Sequence, residues 1–380
     1  MPENFHIDMP EAVRNIIHTI EEHGFKAYAV GGCIRDSILG RNPDDWDITT
    51  SAVPSQIKTF FKRTVDTGIA HGTVTIMIDK TGYEVTTYRI DGEYEDGRHP
   101  KSVEFSDRLV DDLCRRDFTI NAMAYNDTDG FVDEFKGLDD LDTKIIRCVG
   151  EPELRFTEDA LRMMRAIRFS AQLGFTIDEA TWNAIKKLSP SISKISMERV
   201  HVELGKTLMS AHPDYVAQYS EAGLFAPILP VIDNALKSRY KRKILATLQH
   251  TPDNIYLRYA ALFITSTPDE AAKTLRALKL DNKTVNTVSK LVELSKMDIE
   301  ETEPAVRTAL NKYGRDFLPL WHELMMAVIQ ASEDITGISN PAKVKHLLTL
   351  KRLGTDILAR GDCFTIKDLD ISGNDLIEYG

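Results

Sequence analysis

The sequence predicts an α+β protein with a small mixed sheet near the N-terminus and helices in the remainder. Within the first 150 residues, alternating apolar and polar stretches such as 73–79 and 83–89 are typical of strands. After Gly150 the pattern changes to helical periodicity with few β-branched alternations. The 380 residues are enough for two to four domains.

The composition is that of a soluble globular protein, with 42% hydrophobic and 28% charged residues. No run of about 18 apolar residues is present, so we expect no membrane span, and the first residues lack the pattern of a signal peptide. The scattered cysteines favour buried thiols in a reducing cytoplasm over a zinc site. They are Cys33, Cys114, Cys148 and Cys363.

The net charge of −11 is distributed unevenly. Residues 1–150 carry 17 basic and 28 acidic side chains, and the remainder carries 30 of each. A neutral remainder can still present a basic face, and binding to a polyanion depends on that local field. The total charge therefore does not exclude a nucleic-acid partner.

The first informative motif is an apolar strand that ends at a pair of glycines. Ala27 to Val30 precede Gly31 and Gly32, where the backbone can bend and leave its N–H groups open to an anion. Arg35 follows one helical turn later and is a planar donor suited to phosphate. A glycine pair alone more often marks an ordinary turn, so its meaning depends on the motif that follows.

That second motif is an acidic pair. Asp45 and Asp47 are predicted to alternate along a second short strand, with both carboxylates on one face and Trp46 on the other. Two adjacent acids repel each other unless a cation bridges them, and oxygen ligands beside a phosphate site suit Mg²⁺. The combination predicts metal-assisted phosphoryl or nucleotidyl transfer.

A predicted hairpin follows, with strands at 73–79 and 83–89 joined by a turn at 80–82. Glu84 on its second strand is either a third metal ligand or an edge-strand charge. The next segment, 90–101, is rich in glycine and charge and is predicted to be a mobile loop.

A helix is predicted over 113–124, entered near Asp117, before a second hairpin around 127–130. Asp117 is then either a simple helix cap or part of a site in which Arg116 contacts the sugar or triphosphate of a nucleotide.

A further helix is predicted over 157–173, in which Asp159, Arg162, Arg165 and Arg168 are spaced by three. One interpretation is a solvated amphipathic face with one Asp–Arg pair. The other is base recognition: cytosine and adenine both show an amino donor beside a ring-nitrogen acceptor, and guanine and uracil show the reverse. An acceptor at Asp159 and a donor at Arg162 could therefore accept C or A and reject G and U.

The rest of the chain is predicted to be helical. Two basic clusters, 237–243 and 343–352, are either solvated helix faces or contacts to a nucleic-acid backbone. The candidate residues for such contacts are Lys241, Arg242, Lys243, Lys343, Lys345, Lys351 and Arg352.

Together these motifs resemble the class II tRNA nucleotidyltransferases, or CCA-adding enzymes, which are related to poly(A) polymerases in the DNA polymerase beta-like superfamily. The resemblance covers the first 210 residues closely and the helical remainder in character. The matching blocks are Gly31-Gly32-x-x-Arg35-Asp36, Asp45-x-Asp47-x-x-Thr50, Arg115-Arg116-Asp117, Asp133 with Gly137, Glu158-Asp159-x-x-Arg162 and Glu198-Arg199.

The resemblance implies four parts arranged like a seahorse: a catalytic nucleotidyltransferase head at 1–150, a base-recognition neck at 151–210, and a tRNA-binding body and tail at 211–300 and 301–380. It implies that Asp45 and Asp47 are catalytic Mg²⁺ ligands. The residues it implies for nucleotide binding are Gly32, Arg35, Arg116, Asp159, Arg162, Arg165 and Arg168.

The implied activity is template-independent addition of C, C and A to the 3′ end of tRNA from CTP and ATP, with release of pyrophosphate and two-metal chemistry. The implied partner is a tRNA lacking all or part of its 3′ CCA, and the protein is expected to be a monomer or homodimer. Four alternatives share some of the motifs: a CC-adding enzyme, a poly(A) polymerase, a catalytically silent tRNA-binding module and a phosphohydrolase. Full CCA addition is favoured by the full-length 90–101 loop, the lack of basic extensions, the intact acidic pair and the lack of a metal-binding histidine cluster.

Overall fold

The computed structural model describes residues 6–92, 103–363 and 373–378. The chain divides into two compact units, Met1–Ile195 and Ser196–Gly380. The division into head, neck, body and tail remains a prediction. Of the predicted 90–101 loop, on which the choice between CCA and CC addition depends, residues 93–101 lie outside the described residues.

The first unit is built on a seven-stranded mixed sheet, which confirms the predicted fold class. Its strands are β1 (Ala27–Val30), β2 (Ile48–Thr50), β3 (Thr64–Gly68), β4 (Thr73–Ile78), β5 (Thr81–Thr87), β8 (Ala124–Asn126) and β9 (Gly130–Val132). The spatial order is β3-β4-β5-β2-β1-β8-β9, in which β2 and β5 are parallel and the other neighbours antiparallel. Two smaller ladders join β6 (Arg89–Asp91) to β7 (Val103–Phe105) and β10 (Ile145–Ile146) to β11 (Thr176–Ile177).

Helices surround this sheet. They are α1 (Glu11–Glu22), α2 (Gly32–Ile38), α3 (Pro54–Phe60), α4 (Leu109–Cys114), α5 (Gly137–Asp142), α6 (Pro152–Glu158), α7 (Leu161–Leu173) and α8 (Glu179–Leu188), with 3₁₀ turns at Ile69–His71, Thr119–Asn121 and Ser189–Lys194. Helix α1 buries Val13, Ile16, Ile17 and Ile20. This i, i+3, i+4, i+7 spacing is that of a helix packing one apolar face on a sheet.

The structure corrects the predicted strand at Asp45 and Asp47 and the predicted helix at 113–124. Strand β2 begins at Ile48, so Asp45 and Asp47 precede the strand. The predicted helix at 113–124 does not form: α4 ends at Cys114, a 3₁₀ turn covers Thr119–Asn121, and β8 starts at Ala124. Tertiary pairing decides this, because Phe118 is fully buried and forms a β-bridge with Cys148.

The predicted helix over 157–173 is interrupted between α6 and α7. Asp159 has φ −144° and ψ 104°, and its Oδ1 accepts the Leu161 N–H at 3.0 Å. Aspartate competes for backbone N–H groups in this way and favours caps over helix interiors. Asp159 therefore lies at a junction between two helices.

The second unit is helical throughout its described residues. Its helices are α9 (Met197–Leu208), α10 (Ala217–Glu221), α11 (Pro230–Lys237), α12 (Lys241–His250), α13 (Ile255–Leu262), α14 (Pro268–Ala277), α15 (Asn282–Leu294), α16 (Glu303–Tyr313), α17 (Phe317–Thr336), α18 (Pro341–Arg360) and α19 (Gly373–Glu378), with a 3₁₀ turn at Pro213–Val216. In the described part of the chain, no helix combines the length and apolar character needed to cross a bilayer.

The Asp133 and Gly137 block has a structural role. Both oxygens of the Asp133 carboxylate accept backbone N–H groups at the start of α5, from Gly137 at 2.7 Å and Leu138 at 2.9 Å. A Cβ on Gly137 would lie 2.3 Å from the Thr119 carbonyl oxygen. The motif thus fixes α5 against the turn that precedes β8.

We expect Gly137→Ala to destabilise the protein by about 1–3 kcal/mol, because its methyl group would overlap backbone that cannot move aside. Gly205→Ala is the matched control. Gly205 lies inside α9, and the nearest atom to its added Cβ would be the Tyr259 hydroxyl at 3.8 Å. Alanine should be neutral or stabilising there, by up to about 1 kcal/mol. Urea unfolding measures both variants, and equal effects would contradict the clash.

Candidate active site

The glycine turn after β1 is fixed from two sides. Gly31 has φ +87°, a conformation that favours glycine, and its N–H donates to the Met123 carbonyl at 3.1 Å. The Val30 N–H donates to the Asp47 carbonyl at 3.0 Å. This last bond places the backbone of Asp47 beside the turn.

The acidic pair flanks a buried tryptophan. Trp46 is buried while Asp45 and Asp47 are exposed, so the predicted alternation holds although the strand begins later. Partial desolvation raises the pKa of Asp47 above its usual range, the charge of Asp45 raises it further, and Arg116 opposes both. The two carboxylates are therefore close enough to interact, as a shared cation would require.

Glu84 is placed near this pair by strand register. In the parallel β2–β5 ladder, Ile48 pairs with Val85. Asp47 and Glu84 each come one residue before this pair, so continuing the register places them opposite each other on the same face of the sheet. Within the described ranges, however, no group of three or more His, Cys, Asp or Glu side chains is arranged to hold a metal ion. Asp45 and Asp47 fit a divalent cation by their oxygen donors and mutual repulsion, and Glu84 as a third ligand remains a prediction.

Arg116 lies between the turn and the acids. A Cβ on Gly31 would be 2.9 Å from Arg116 Nη1. Arg116 Nη2 donates to the buried carboxylate of Asp112 at 3.1 Å. Burial would raise the pKa of Asp112, but Arg116 and Arg115 outweigh it and hold the pKa below its usual range. Sequence reasoning missed Asp112, although its spacing of three and four residues from the arginines was a usable signal.

Arg35 is buried at the turn and held in place. Its Nε and Nη2 donate to the Asp36 carboxylate at 3.0 and 2.7 Å, and its Nη1 donates to Asn121 Oδ1 at 2.6 Å. Asn121 in turn donates to Asp117 Oδ1 at 3.1 Å. Sequence reasoning gave no role to Asn121, which joins these two charged residues.

Asp117 is buried and anchors Arg165. Its Oδ2 accepts from Arg165 Nε at 2.7 Å and Nη2 at 2.6 Å. Burial would raise the pKa of Asp117, but Arg165, Asn121 and Arg162 together hold it well below the usual range. Asp117 is therefore an ionised anchor rather than the predicted helix cap, although its Oδ1 also accepts the Phe118 N–H at 2.9 Å.

Three predicted nucleotide-binding arginines surround one aromatic ring. The guanidinium carbons of Arg35, Arg165 and Arg168 lie 5.1, 5.3 and 3.8 Å from the centroid of Phe169. Arg168 is itself buried and donates to Gln172 at 2.8 Å. The structure thus brings these arginines together within the first unit.

Arg162 is held chiefly by Glu158. Its Nη1 donates to Glu158 Oε2 at 2.6 Å and its Nη2 to the Arg115 carbonyl at 3.0 Å. Glu158 also pairs with Arg155 at 2.5 Å. Asp159 lies half-buried at the start of α7, so the acceptor and donor proposed for base recognition occupy one helix junction.

The basic residues of the second unit lie on α12 and α18, and most are exposed. Lys241 pairs with Glu221 at 2.7 Å, and Arg242 lies 3.5 Å from the Asp334 carbonyl. Lys243 and Lys343 line one cavity of about 570 Å³. Lys345, Lys351 and Arg352 are exposed on α18. Their contact with RNA remains a prediction.

Two family models and several known proteins match this chain. The model of the poly(A) polymerase head domain matches residues 27–147, and the model described as a probable RNA and SrmB-binding site of polymerase A matches 174–236. The Streptococcus suis CCA-adding enzyme is 38% identical over 359 residues, covering 92% of this chain and 84% of that protein. The chain belongs to the CCA-adding enzyme family.

Other members of the family are also similar. The Limosilactobacillus reuteri CCA-adding enzyme is 49% identical over 230 residues, which cover 59% of this chain and 56% of that protein. The chain thus spans about half the length of this relative. The crystal structure of the Bacillus stearothermophilus CCA-adding enzyme in complex with CTP has a TM-score of 0.75 and 33% identity, covering 97% of this chain and 87% of that one. CCA-adding enzymes are nucleotidyltransferases that need a divalent metal.

The raised pKa of Asp47 predicts that its charge destabilises the fold. Above that pKa the folded protein carries a carboxylate that is more favourable in the unfolded chain, so stability decreases as the pH rises through it. We expect Asp47→Asn to raise the melting temperature near neutral pH in EDTA, and the gain to disappear near about pH 3, where the carboxyl is protonated in both states.

Thermal unfolding across this pH range measures the effect. Asp44→Asn is the control, because Asp44 is an exposed carboxyl three residues away and should change little. A gain from Asp47→Asn that persists in acid, or no gain at all, would contradict the electrostatic cause.

Proposed function

We propose that this protein adds C, C and A to the 3′ end of tRNA from CTP and ATP without a nucleic-acid template. The observation that carries the proposal is the convergence of the Asp45–Asp47 pair, the Gly31 turn and Arg116 in one place. Membership in the CCA-adding enzyme family supports the same reaction. The reducing cytoplasm is its proposed location. Burial raises the pKa of the Cys33 and Cys148 thiols to about 12, which suits structural thiols, whereas Cys114 and Cys363 are exposed, contrary to the expected buried thiols.

In the proposed reaction the 3′-oxygen of the tRNA attacks the α-phosphorus of the nucleotide. The bond from that phosphorus to the bridging oxygen breaks, and pyrophosphate leaves. Asp45 and Asp47 would hold the divalent cation, proposed to be Mg²⁺ because both donors are carboxylate oxygens. When bound, the metal would lower the pKa of the attacking hydroxyl and balance the charge of the leaving group.

The protein's own groups would bind the triphosphate. Glycine at 31 and 32 allows a phosphate to approach the backbone closely, and Arg116 brings a positive charge to this turn. Arg35, fixed by Asp36 and Asn121, is a proposed phosphate contact that arrives already oriented. Such preorganisation lowers the entropy cost of binding.

The protein itself would read the base. Asp159 and Arg162 would supply one acceptor and one donor to the Watson–Crick edge shared by cytosine and adenine. Arg165 and Arg168, positioned by Asp117 and Phe169, would contact the rest of the nucleotide. Glu158 keeps the Arg162 guanidinium from turning freely.

The second unit would bind the tRNA backbone. The exposed basic residues of α12 and α18 supply the positive charge that attracts the phosphates of a nucleic-acid backbone. The match of residues 174–236 to an RNA-binding model supports an RNA partner.

We expect Asp45→Ala to lower the rate of CMP incorporation by at least about 10²–10³-fold, because the metal loses one of its two proposed ligands. The measurement is transfer of label from CTP to a tRNA lacking its 3′ end. Asp44→Ala, which removes the neighbouring exposed carboxyl, should leave the rate within a few fold. Undiminished turnover of Asp45→Ala with unchanged metal dependence would overturn the assignment.

We expect Asp159→Ala combined with Arg162→Ala to erode discrimination against UTP and GTP. Their removal abolishes the donor–acceptor pattern that matches C and A, while the triphosphate contacts remain. Sequencing the 3′ ends made with each nucleotide alone measures misincorporation. Glu153→Ala is the control, since Glu153 is exposed on the neighbouring α6 and pairs with Lys187. Misincorporation at the wild-type level would rule out this base recognition.

A further inference from the structure

Asp112 is a fully buried carboxylate to which the proposed reaction gives no role. Its Oδ1 accepts from Arg115 Nε at 2.9 Å and Nη2 at 2.6 Å. Its Oδ2 accepts from Arg116 Nη2 at 3.1 Å and from Thr49 Oγ1 at 3.1 Å. Burying a carboxylate costs solvation free energy, which well-arranged hydrogen-bond donors offset. Here four donor atoms bond to the Asp112 carboxylate.

Both residues that donate to Asp112 Oδ2, Thr49 and Arg116, are connected with the candidate active site. Thr49 lies on β2, two residues after Asp47 in the chain. Arg116 reaches the glycine turn, where its Nη1 would be 2.9 Å from a Cβ on Gly31. Arg116 Nε is buried and has no hydrogen-bond partner among the described residues. Arg116 is thus anchored through Nη2, while its Nη1 lies at the glycine turn.

Without Asp112, Coulomb attraction would draw the Arg116 guanidinium towards Asp45 and Asp47. The Asp47 carbonyl accepts the Val30 N–H next to the same glycine turn that Arg116 reaches, so the acidic pair and the guanidinium lie at one turn. Without a negative group behind it, the guanidinium would gain by pairing directly with these two acids. Such a pair would occupy the oxygens that a divalent cation needs and would remove the positive charge from the turn.

We infer that Asp112 is a positioning residue that holds Arg116 against the glycine turn and away from the Asp45–Asp47 pair, ready for the triphosphate of the incoming nucleotide. This inference rests on the proposed function. It assigns Asp112 no contact with substrate, and it predicts that every effect of Asp112 on nucleotide binding passes through Arg116. Since the triphosphate is common to CTP and ATP, both nucleotides should be affected alike.

The test is calorimetric binding of CTP and of ATP, with Mg²⁺, to the full chain. We expect Asp112→Asn to weaken binding of both nucleotides by about 10–100-fold, the range found when an orienting partner is removed. Preference for C and A over U and G should be unchanged. The KM for CTP in CMP incorporation should rise by a similar factor, with a smaller change in kcat.

Asp140→Asn is a matched control. Asp140 is also a buried carboxylate of the first unit, and it accepts from Thr119 Oγ1 at 2.7 Å and from Arg147 Nε at 3.1 Å. Its removal should cost stability but leave nucleotide affinity within a few fold. If Asp140→Asn weakens CTP as much as Asp112→Asn does, the effect is general destabilisation and the inference fails.

A double-mutant cycle isolates the route through Arg116. In the Arg116→Gln background, Asp112→Asn should have no further effect on CTP affinity, whereas additive effects would overturn the inference. Thr49→Val keeps the charge of Asp112 and removes the hydroxyl that Asp112 shares with the Thr86 carbonyl at 3.2 Å. It should weaken CTP by about 2–10-fold, with the effect again absent when Arg116 is glutamine, and it serves as the test if Asp112→Asn does not fold.

The outcomes also separate the inference from the proposed function. A wild-type protein that binds CTP but adds nothing to a tRNA lacking its 3′ end would refute the function, while the binding cycle would still decide the role of Asp112. A wild-type protein that binds neither nucleotide would refute both.

Discussion

The proposed active site of the first unit depends on two negative charges placed side by side. Asp45 and Asp47 repel each other, and the pKa of Asp47 is raised because its carboxyl is partly withdrawn from water. The neighbouring positive charge of Arg116 does not neutralise them by direct pairing, because Asp112 holds that guanidinium from behind. The proposed cation would relieve this repulsion, so the electrostatic cost of placing the two carboxylates together and their proposed metal binding have the same cause.

A second chain of contacts connects the glycine turn with helix α7. Arg35 donates to Asn121, Asn121 donates to Asp117, and Asp117 accepts from Arg165. Phe169 lies beside the arginines at both ends of this chain. Two proposed nucleotide contacts, Arg35 and Arg165, are therefore oriented by one hydrogen-bonded network.

The sequence predicted those features that local chemistry determines. The glycine turn and the acidic pair are short motifs whose residue types restrict their conformation and function, and the helical periodicity after Gly150 predicted most later helices. It failed over 113–124, where a contact between distant residues, the bridge from Phe118 to Cys148, prevents the predicted helix. It also missed a local effect, since the bond from the Leu161 N–H to the Asp159 carboxylate divides the predicted helix over 157–173. Asn121 had no local signal, since its role exists only once Arg35 and Asp117 are folded around it.

The most direct test of the central claim is a crystal structure of the protein with CTP and Mn²⁺, using anomalous scattering to locate the metal. We expect a metal within about 2.0–2.6 Å of oxygens from both Asp45 and Asp47, with the triphosphate lying against the Gly31 turn beside Arg116. Metal bound to neither carboxylate, or a triphosphate located away from the turn, would contradict it.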